Sequence, residues 1–183
     1  MSELQLRPLQ AGAIEAVSRA FRDGHRNVMV QAPCGFGKTE LATAMLQAAD
    51  ENRKSAAFIC DRISLINQTA DRFDKYGLKF GIQQAQHWRY KPWERIQLCS
   101  VQTLDRREWP DVSLYMVDEA HVLHRSVMRE LEKRERFALG LSATPFTRGL
   151  GKYFDVVINA ATTNQLIADG WLSPYRIFAA SEP

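Results

Sequence analysis

The sequence contains few cysteines, and none of them belongs to a recognisable pair. Cys34, Cys60 and Cys99 are the only cysteines among 183 residues, and no two of them form a Cys-x-x-Cys motif. No two histidines stand at zinc-finger spacing either. A disulfide framework and a structural zinc site are therefore not expected. Unpaired thiols are instead typical of a cytoplasmic protein whose cysteines stay reduced.

The sequence also lacks a long apolar run and a strong excess of one charge. No apolar stretch approaches the roughly 18 residues of a membrane-spanning helix. Residues 1–10 show no basic region followed by an apolar one, so neither a signal peptide nor a membrane partner is expected. The 24 lysines and arginines against 21 aspartates and glutamates give a net charge of +3. This mildly basic balance permits a nucleic-acid partner without requiring one.

The composition is that of one globular domain in which short apolar runs alternate with amphipathic stretches. Hydrophobic residues make up 45% and charged residues 25% of the chain. Unbroken apolar runs of strand length are typical of strands buried on both faces. The runs lie at 27–31, 56–60, 96–101, 114–117 and 137–141, and helical candidates lie around 14–21 and at 38–50, 62–76, 101–107, 124–134 and 163–169. This alternation predicts an α/β fold with a mostly parallel sheet and helices on both faces.

Two stretches rich in charge allow simpler interpretations than a binding site. Residues 80–93 are the least regular and are predicted to be a loop; within them, 87–93 (HWRYKPW) mixes aromatic and cationic side chains. This mixture suits either a surface that stacks on bases or a loop that packs on an absent domain. Residues 129–136 alternate in charge and predict a solvated helix face with the pairs Glu130–Arg134 and Glu132–Arg136.

The strongest single motif is the segment 32–39, APCGFGKT, which follows a predicted strand and opens a predicted helix. Glycine at 35 and 37 lets backbone N–H groups approach phosphate oxygens, and the helix N-terminus favours the same anions. Lys38 would reach the β and γ phosphates, and Thr39 would bind Mg²⁺. A glycine-rich turn with an incidental lysine is the alternative. The candidate nucleotide-binding residues are Ala32, Pro33, Cys34, Gly35, Phe36, Gly37, Lys38 and Thr39.

A second candidate for chemistry is the acidic pair that ends the apolar run 114–117. Asp118 and Glu119 open the sequence DEAH. Carboxylates at the C-terminal end of a parallel strand face the crevice where ligands bind in open α/β sheets. Asp118 is therefore a candidate Mg²⁺ ligand, and Glu119 is a candidate base for the attacking water. Two solvated turn carboxylates would have the same sequence, but an apolar strand before them and the phosphate loop elsewhere in the chain favour the catalytic interpretation.

Taken in order, these motifs resemble the N-terminal RecA-like domain of superfamily-2 helicases and translocases. Residues 6–10 (LRPLQ) resemble a Q motif, 32–39 motif I, 61–68 (DRISLINQ) motif Ia and 100–104 (SVQTL) the following strand-binding motif. DEAH at 118–121 is similar to motif II, and SATP at 142–145 to motif III. The spelling is most similar to restriction-enzyme ATPase subunits and RadD-like DNA-repair helicases. The resemblance covers nearly the whole chain, and Ala32 replaces the first glycine of the general phosphate-loop pattern.

The resemblance implies a role for each matching position. Arg7 and Gln10 would hold adenine, His121 would couple hydrolysis to a partner domain, and Ser142 and Thr144 would relay the nucleotide state. A helix-start glutamine, an ordinary histidine and a strand-end turn closed by Pro145 are the simpler alternatives. The residues expected to contact a nucleic-acid backbone are Arg62, Gln68, Ser100, Gln102 and Thr103. Arg106 and Arg107 either add to this contact or belong to a solvated helix end.

The expected function is that of an ATP-dependent DNA helicase or translocase motor with Mg²⁺ as cofactor, in a bacterial or phage-host cytoplasm. DNA is favoured over RNA because motif I lacks the GETGSGKT-like spelling of RNA-processing DEAH helicases. The alternatives are an ATP-gated DNA-binding subunit of a restriction or repair complex without unwinding, and, less favoured, a small P-loop kinase. Residues 1–178 are expected to form the first RecA-like domain, and 179–183 to begin a linker to an absent second one.

Overall fold

A computed structural model describes residues 4–175, which form one parallel sheet covered by helices on both faces. The strands are β1 (Asn27–Gln31), β2 (Ala56–Cys60), β3 (Gly81–Gln83), β4 (Ile96–Ser100), β5 (Leu114–Val117), β6 (Phe137–Ser142) and β7 (Val156–Asn159). The helices are α1 (Pro8–Arg22), α2 (Lys38–Glu51), α3 (Ser64–Lys75), α4 (Val101–Leu104), α5 (Arg125–Lys133) and α6 (Thr163–Ala168), with a 3-10 turn at Leu150–Lys152. No helix within 4–175 is long and apolar enough to cross a bilayer.

The sheet has the order β3-β4-β2-β5-β6-β1-β7, and every neighbouring pair is parallel. Because all strands run the same way, their C-terminal ends share one side of the sheet, called the carboxyl edge below. Register keeps these ends level: Gln31 pairs with Ser142, and Cys60 pairs with Ser100. The loops that follow β1, β2, β4, β5 and β6 therefore meet at this edge. The predicted fold class is confirmed.

The core consists of two apolar layers separated by the sheet. One layer packs α1, α2, α3 and α6 against the sheet through residues such as Val17, Leu46 and Phe73. The other packs α4 and α5 against the opposite face through residues such as Leu104 and Leu131. Strands β2 and β4 are buried along their whole length. This double burial explains why the central strands read as unbroken apolar runs.

Two strands and one set of ion pairs differ from the sequence-based expectation. Strand β3 lies inside the predicted loop 80–93, and the prediction omits β7; both are short strands at the edges of the sheet. The predicted pairs Glu130–Arg134 and Glu132–Arg136 are wrong, because α5 ends at Lys133 and Arg134 takes a left-handed conformation with φ of 53°. Arg134 instead pairs with Asp155, and Arg136 with Asp111.

Helix ends were predicted to within a few residues, and the terminal segments lie outside the structure. Helix α4 ends at Leu104 rather than at residue 107, and α3 begins at Ser64 rather than at residue 62. The predicted first domain extends to residue 178, and its residues 1–3 and 176–178 lie outside the described residues. The predicted linker at 179–183 lies wholly outside them.

Candidate functional site

The phosphate loop joins β1 to α2 at the carboxyl edge. Gly35 and Gly37 have φ values of 81° and 88°, a left-handed conformation that glycine adopts without strain. Gly37 caps α2, so Lys38 is the first residue of the helix. The N–H groups in the first turn of α2 have no partner within the helix. Together with the helix dipole they form a site suited to phosphate oxygens.

Gln10 of helix α1 binds the backbone of this loop. Gln10 is 2% exposed, and its Nε2 donates to the carbonyl of Phe36 at 2.9 Å and to that of Gly37 at 3.2 Å. Its Oε1 accepts from the Arg7 backbone N–H at 2.8 Å, which closes the N-terminus of α1. The Gln10 amide is therefore engaged on both sides by the chain itself. A contact of Gln10 with adenine stays a prediction.

Arg7 reaches the same loop from the start of α1. Its Nη1 donates to the carbonyl of Gly35 at 2.9 Å. The guanidinium also lies against the ring of Trp171, with 4.0 Å between Cζ and the ring centroid. Arg7 and Gln10 together bind the backbone of three consecutive loop residues, which fixes the loop conformation.

The acidic pair is held at the carboxyl edge by backbone hydrogen bonds to both neighbouring strands. Asp118 N–H donates to the carbonyl of Ile59 at 2.9 Å, and Ala120 N–H donates to that of Leu141 at 3.0 Å. Between them, Glu119 has a φ of 48°, a left-handed conformation that is uncommon for a non-glycine residue. Such strain persists only where the surrounding structure enforces it, and it clusters at functional sites.

The pKa of Asp118 is set by its burial and by its charged neighbours. Burial raises the pKa of Asp118 above its ordinary value, and the nearby Glu119 carboxylate raises it further. The Glu119 N–H, which donates to Asp118 Oδ1 at 3.1 Å, and the Lys38 ammonium oppose this rise. Lys38 of the phosphate loop is thus one of the groups that lower the pKa of Asp118, although 80 positions separate them in sequence (118 − 38).

The oxygen donors of Asp118 and Thr39 fit a magnesium ion by their chemistry. Asp118 offers carboxylate oxygens and Thr39 offers a hydroxyl, and hard oxygen donors are what Mg²⁺ prefers. The partly buried Asp118 carboxylate is destabilised by Glu119, and a bound cation would offset that repulsion. Within 4–175, no cluster of three or more His, Cys, Asp or Glu side chains could hold a metal alone. A magnesium ion here would therefore also require phosphate oxygens and water as ligands.

His121 and Ser142 join the acidic loop to the end of β6. The Ser142 hydroxyl lies 2.9 Å from His121 Nδ1, and Glu119 Oε2 lies 3.3 Å from the same nitrogen. The Ser142 hydroxyl also accepts from the backbone N–H of Thr144 at 3.0 Å. The Ser142 side chain is fully buried and does not contact solvent, whereas Thr144 is exposed. This chain of contacts runs from Glu119 to the loop after β6.

Farther along the carboxyl edge, a groove of about 420 Å³ lies between the loops after β2, β3 and β4. Its lining residues are Ile63, Ala85, Gln102, Thr103, Arg106 and Arg107. The Arg62 side chain beside it is 77% exposed, and Gln68 and Gln102 are exposed as well. These three residues are exposed, and their contact with a nucleic-acid backbone stays a prediction. The groove is lined by two arginines and one glutamine side chain.

Ser100 has a different placement from the one predicted, whereas a nucleic-acid contact of Thr103, which lines the groove, stays a prediction. The Ser100 hydroxyl is fully buried; it accepts from the Thr103 N–H at 3.3 Å and lies 2.9 Å from the Thr103 hydroxyl. The Thr103 hydroxyl also accepts from the Ala85 N–H at 3.3 Å. Direct contact of the Ser100 hydroxyl with a nucleic acid is therefore incompatible with this conformation. The Ser100 hydroxyl instead caps α4, and the Thr103 hydroxyl connects α4 to the loop after β3.

Sequence reasoning missed a link between the acidic loop and this groove. The Asp61 carboxylate forms a hydrogen bond with Nε2 of His124, the residue that precedes α5. The Asp61 backbone carbonyl accepts from Gln102 Nε2 at 2.6 Å. Asp61 therefore connects the residues after motif II to the groove. A charged residue directly after the buried run 56–60 was the available signal, because such a position faces the carboxyl edge.

The aromatic segment 87–93 covers the outer edge of the sheet. The Arg89 carbonyl accepts from the Ile82 N–H at 3.0 Å, so the segment runs back along β3. Arg89 also packs over the Phe80 ring at 4.2 Å and binds Asp74 at 2.6 Å. Covering a short edge strand protects it from pairing with other chains. Trp88 and Trp93 stay exposed, so neither of the two predicted roles of this segment is decided.

Comparison with known proteins defines the family. Residues 3–147 match the family described as "Type III restriction enzyme, res subunit". The chain belongs to this family. Among curated proteins, the Escherichia coli (strain K12) Type I restriction enzyme EcoKI endonuclease subunit is similar, with 29% identity over 179 residues that cover 88% of this chain. The chain spans 15% of the length of that relative.

Solved structures share the fold of this res-subunit domain at low sequence identity. The Type ISP restriction-modification enzyme LlaGI matches with a TM-score of 0.71 and 13% identity over 91% of this chain and 21% of that chain. The UvsW helicase from bacteriophage T4 matches with a TM-score of 0.69 and 17% identity over 85% of this chain and 60% of that chain. The Sulfolobus solfataricus SWI2/SNF2 ATPase core matches with a TM-score of 0.64 and 18% identity over 80% of this chain and 33% of that chain.

Family and fold together identify a RecA-like domain of the type found in superfamily-2 helicases and restriction-enzyme subunits. The matched range 3–147 contains the phosphate loop, the acidic pair and the groove. It does not contain β7, α6 or the segment after α6, although that segment contacts Arg7.

Proposed function

We propose that this chain is the ATP-binding motor domain of a DNA helicase or translocase that couples Mg·ATP hydrolysis to movement on DNA. One observation carries the proposal: the glycine turn with Lys38 at the N-terminus of α2, and the acidic pair Asp118 and Glu119 after β5, both lie at the carboxyl edge of one parallel sheet. A cation, an anion-binding loop and carboxylates at one edge are the arrangement that phosphoryl transfer from a nucleoside triphosphate requires.

Each residue of the site would contribute one part of the reaction. The loop N–H groups and Lys38 would hold the β and γ phosphates and neutralise charge as the terminal phosphoryl group leaves. Glu119 would orient the attacking water and accept its proton. Mg²⁺ held by Thr39 and Asp118 would supply Lewis-acid stabilisation. Arg7 and Gln10 would fix the loop, and Gln10 would also read adenine.

A second RecA-like domain would complete the site. The curated relative is several times longer than this chain, and in the family that the sequence resembles, ATP lies between two such domains. Cationic residues from a second domain would stabilise the transition state, an effect of about 10³–10⁵ in rate in related systems. The proposal assigns residues 1–178 to the first domain and 179–183 to the linker. The chain alone should bind nucleotide weakly and hydrolyse it slowly.

DNA is the nucleic acid on which we propose that the protein moves. The Sulfolobus SWI2/SNF2 core was solved with double-stranded DNA and LlaGI with a DNA substrate mimic, and both share this fold. Arg62, Gln68, Gln102 and Arg106 would grip the sugar–phosphate backbone, so binding would be independent of sequence and sensitive to salt. His121, Ser142 and Thr144 would relay the nucleotide state towards this groove.

A second candidate is an ATP-gated DNA-binding subunit of a restriction or repair complex that does not unwind DNA. The similarity to a restriction endonuclease subunit favours this candidate. Strand-displacement and triplex-displacement assays on the longer protein distinguish the two: a helicase separates strands, a translocase displaces only a triplex strand, and a gated binding subunit does neither.

The test of the proposal is a nucleotide titration by calorimetry in the presence of Mg²⁺. Lys38→Ala should weaken ATP binding by about tenfold or more, since it removes a charge-assisted contact to phosphate. Lys54→Ala is the matched control, because this exposed lysine lies just before β2, at the opposite edge of the sheet. Equal ATP affinities of Lys38→Ala and the wild type would contradict the proposed phosphate site and, with it, the proposed motor function.

A further inference from the structure

The segment after α6 has a fixed position because the C-terminus of α6 anchors it. The backbone N–H groups of Trp171 and Leu172 both donate to the carbonyl of Leu166, at 2.8 Å and 3.1 Å. Leu166 is itself buried in the larger core layer. These two hydrogen bonds to a buried residue fix the backbone of Trp171 and Leu172. The Trp171 side chain then lies against Arg7, and the Leu172 side chain lies against the phosphate loop.

Leu172 packs directly on the loop at Gly35. A Cβ atom added to Gly35 would lie 2.5 Å from Leu172 Cδ2, far inside van der Waals contact. Leu172 also packs against the core layer that holds α1 and α2. The phosphate loop is therefore covered on one side by a residue 137 positions away in sequence (172 − 35).

Trp171 acts on the same loop through Arg7. Its ring lies 4.0 Å from the Arg7 Cζ, and the Arg7 guanidinium donates to the Gly35 carbonyl at 2.9 Å. A guanidinium that packs over an indole ring loses rotational freedom, so its N–H groups keep a fixed direction. Trp171 thus holds Arg7 in the orientation that binds the loop, while Leu172 contacts the loop itself.

We propose that Trp171 and Leu172 are positioning residues of the nucleotide site, which pre-order Arg7 and the phosphate loop for a magnesium nucleoside triphosphate. The inference rests on the proposed function and deepens it. A pre-ordered loop binds more tightly because less conformational freedom is lost on binding. By reciprocity, nucleotide binding stabilises the position of the segment after α6, so this segment responds to the nucleotide state.

The first experiment compares Mg·ATP affinity between variants by calorimetry. Trp171→Ala and Leu172→Ala should each weaken binding about threefold to tenfold, and Trp171→Phe, which keeps an aromatic ring over Arg7, should stay close to the wild type. Tyr76→Ala is the matched control: it removes a ring 5.3 Å from the ammonium of Lys75 at the far end of α3. Thermal unfolding without nucleotide shows whether each variant folds.

The second experiment needs no variant at Trp171 and tests the reciprocal effect. Amide hydrogen exchange at Trp171 and Leu172 of the wild-type chain should slow when Mg·ATP saturates the site. Unchanged exchange together with wild-type affinity of Trp171→Ala would overturn the inference while Lys38→Ala still upholds the proposed function. Tighter binding by Trp171→Ala would also overturn it, because the indole would then occupy the place of the nucleotide. Absence of ATP binding by the wild-type chain would overturn both.

Discussion

The hydroxyl of Ser142 lies 2.9 Å from Nδ1 of His121, and this contact joins the loop that carries the acidic pair to the end of β6. Glu119 reaches the same nitrogen at 3.3 Å, so one imidazole nitrogen faces both a candidate base and a buried hydroxyl. A displacement of Glu119 during phosphoryl transfer would therefore change the contacts of His121 with Ser142 and of Ser142 with the Thr144 backbone.

A double-mutant cycle tests this contact. Ser142→Ala should lower the free energy of unfolding by about 1–3 kcal/mol, because the Thr144 N–H and the His121 nitrogen lose a buried partner. Together with His121→Ala it should show a coupling of about 0.5–3 kcal/mol in urea denaturation. Thr144→Ala is the control, since it keeps the backbone N–H that binds Ser142. Strictly additive effects of the two substitutions would mean that the contact contributes nothing.

The role of Gln10 can be resolved with a ligand that has no base. Gln10→Ala removes the donor to the Phe36 and Gly37 carbonyls, so the phosphate loop should loosen and the affinity for inorganic tripolyphosphate should fall about threefold or more. Gln5→Ala changes an exposed glutamine and should leave this affinity unchanged. If tripolyphosphate bound normally and only ATP binding fell, Gln10 would act through adenine alone.

The groove along the carboxyl edge predicts electrostatic binding of nucleic acid. Arg62→Ala and Arg106→Ala should each weaken binding of a fluorescent oligothymidylate and reduce the slope of log K against log salt by about 0.7, the value for one phosphate contact on a single strand. Arg95→Ala is the control, because Arg95 precedes β4 at the opposite edge and binds Asp50 at 2.9 Å. A salt slope that all three variants leave unchanged would exclude this groove.

Asp155 predicts a pH-dependent term in stability. Burial raises the pKa of Asp155, but hydrogen bonds from the Asn27 backbone, Arg134 and the Arg26 backbone outweigh it and hold the pKa below its ordinary value. The distances from Oδ2 to the backbone nitrogens of Arg26 and Asn27 are 2.8 Å and 2.9 Å. A depressed pKa stabilises the folded state above the ordinary carboxyl pKa, and this contribution disappears as pH falls through the depressed value.

Asp155→Asn should therefore be less stable than the wild type at pH 7, by about 1–2 kcal/mol after allowance for solvent screening. The difference should shrink as pH falls below about 4, where unfolded aspartates begin to protonate. Urea unfolding across this pH range measures it. Asp169→Asn, at an exposed carboxylate after α6, should show no such trend. A stability difference between Asp155→Asn and the wild type that stayed constant to low pH would assign the effect to shape rather than charge.

Local patterns in the sequence suffice to predict the central strands, the phosphate loop and the acidic pair. The central strands are buried on both faces, so they appear as apolar runs, and the phosphate loop has glycine where a left-handed backbone is needed. The acidic pair follows an apolar strand and is therefore placed at the carboxyl edge by strand direction alone. Local rules suffice at these positions because burial and backbone geometry leave few alternatives.

Other features depend on residues that are distant in sequence, and they become visible only when the chain is folded. Strand β3 has only three residues, and β7, although as long as β5, is an edge strand that is not fully buried at any position. Each of them pairs with a strand, β4 or β1, that offers a free edge. The burial of Ser100, the capture of Gln10 by the loop carbonyls and the Asp61–His124 link all depend on which side chain fills a given space. The contact of Trp171 with Arg7 joins residues 164 positions apart (171 − 7), and no pattern in the sequence relates them. Proximity of that kind is set by packing, which a periodicity along the chain does not encode.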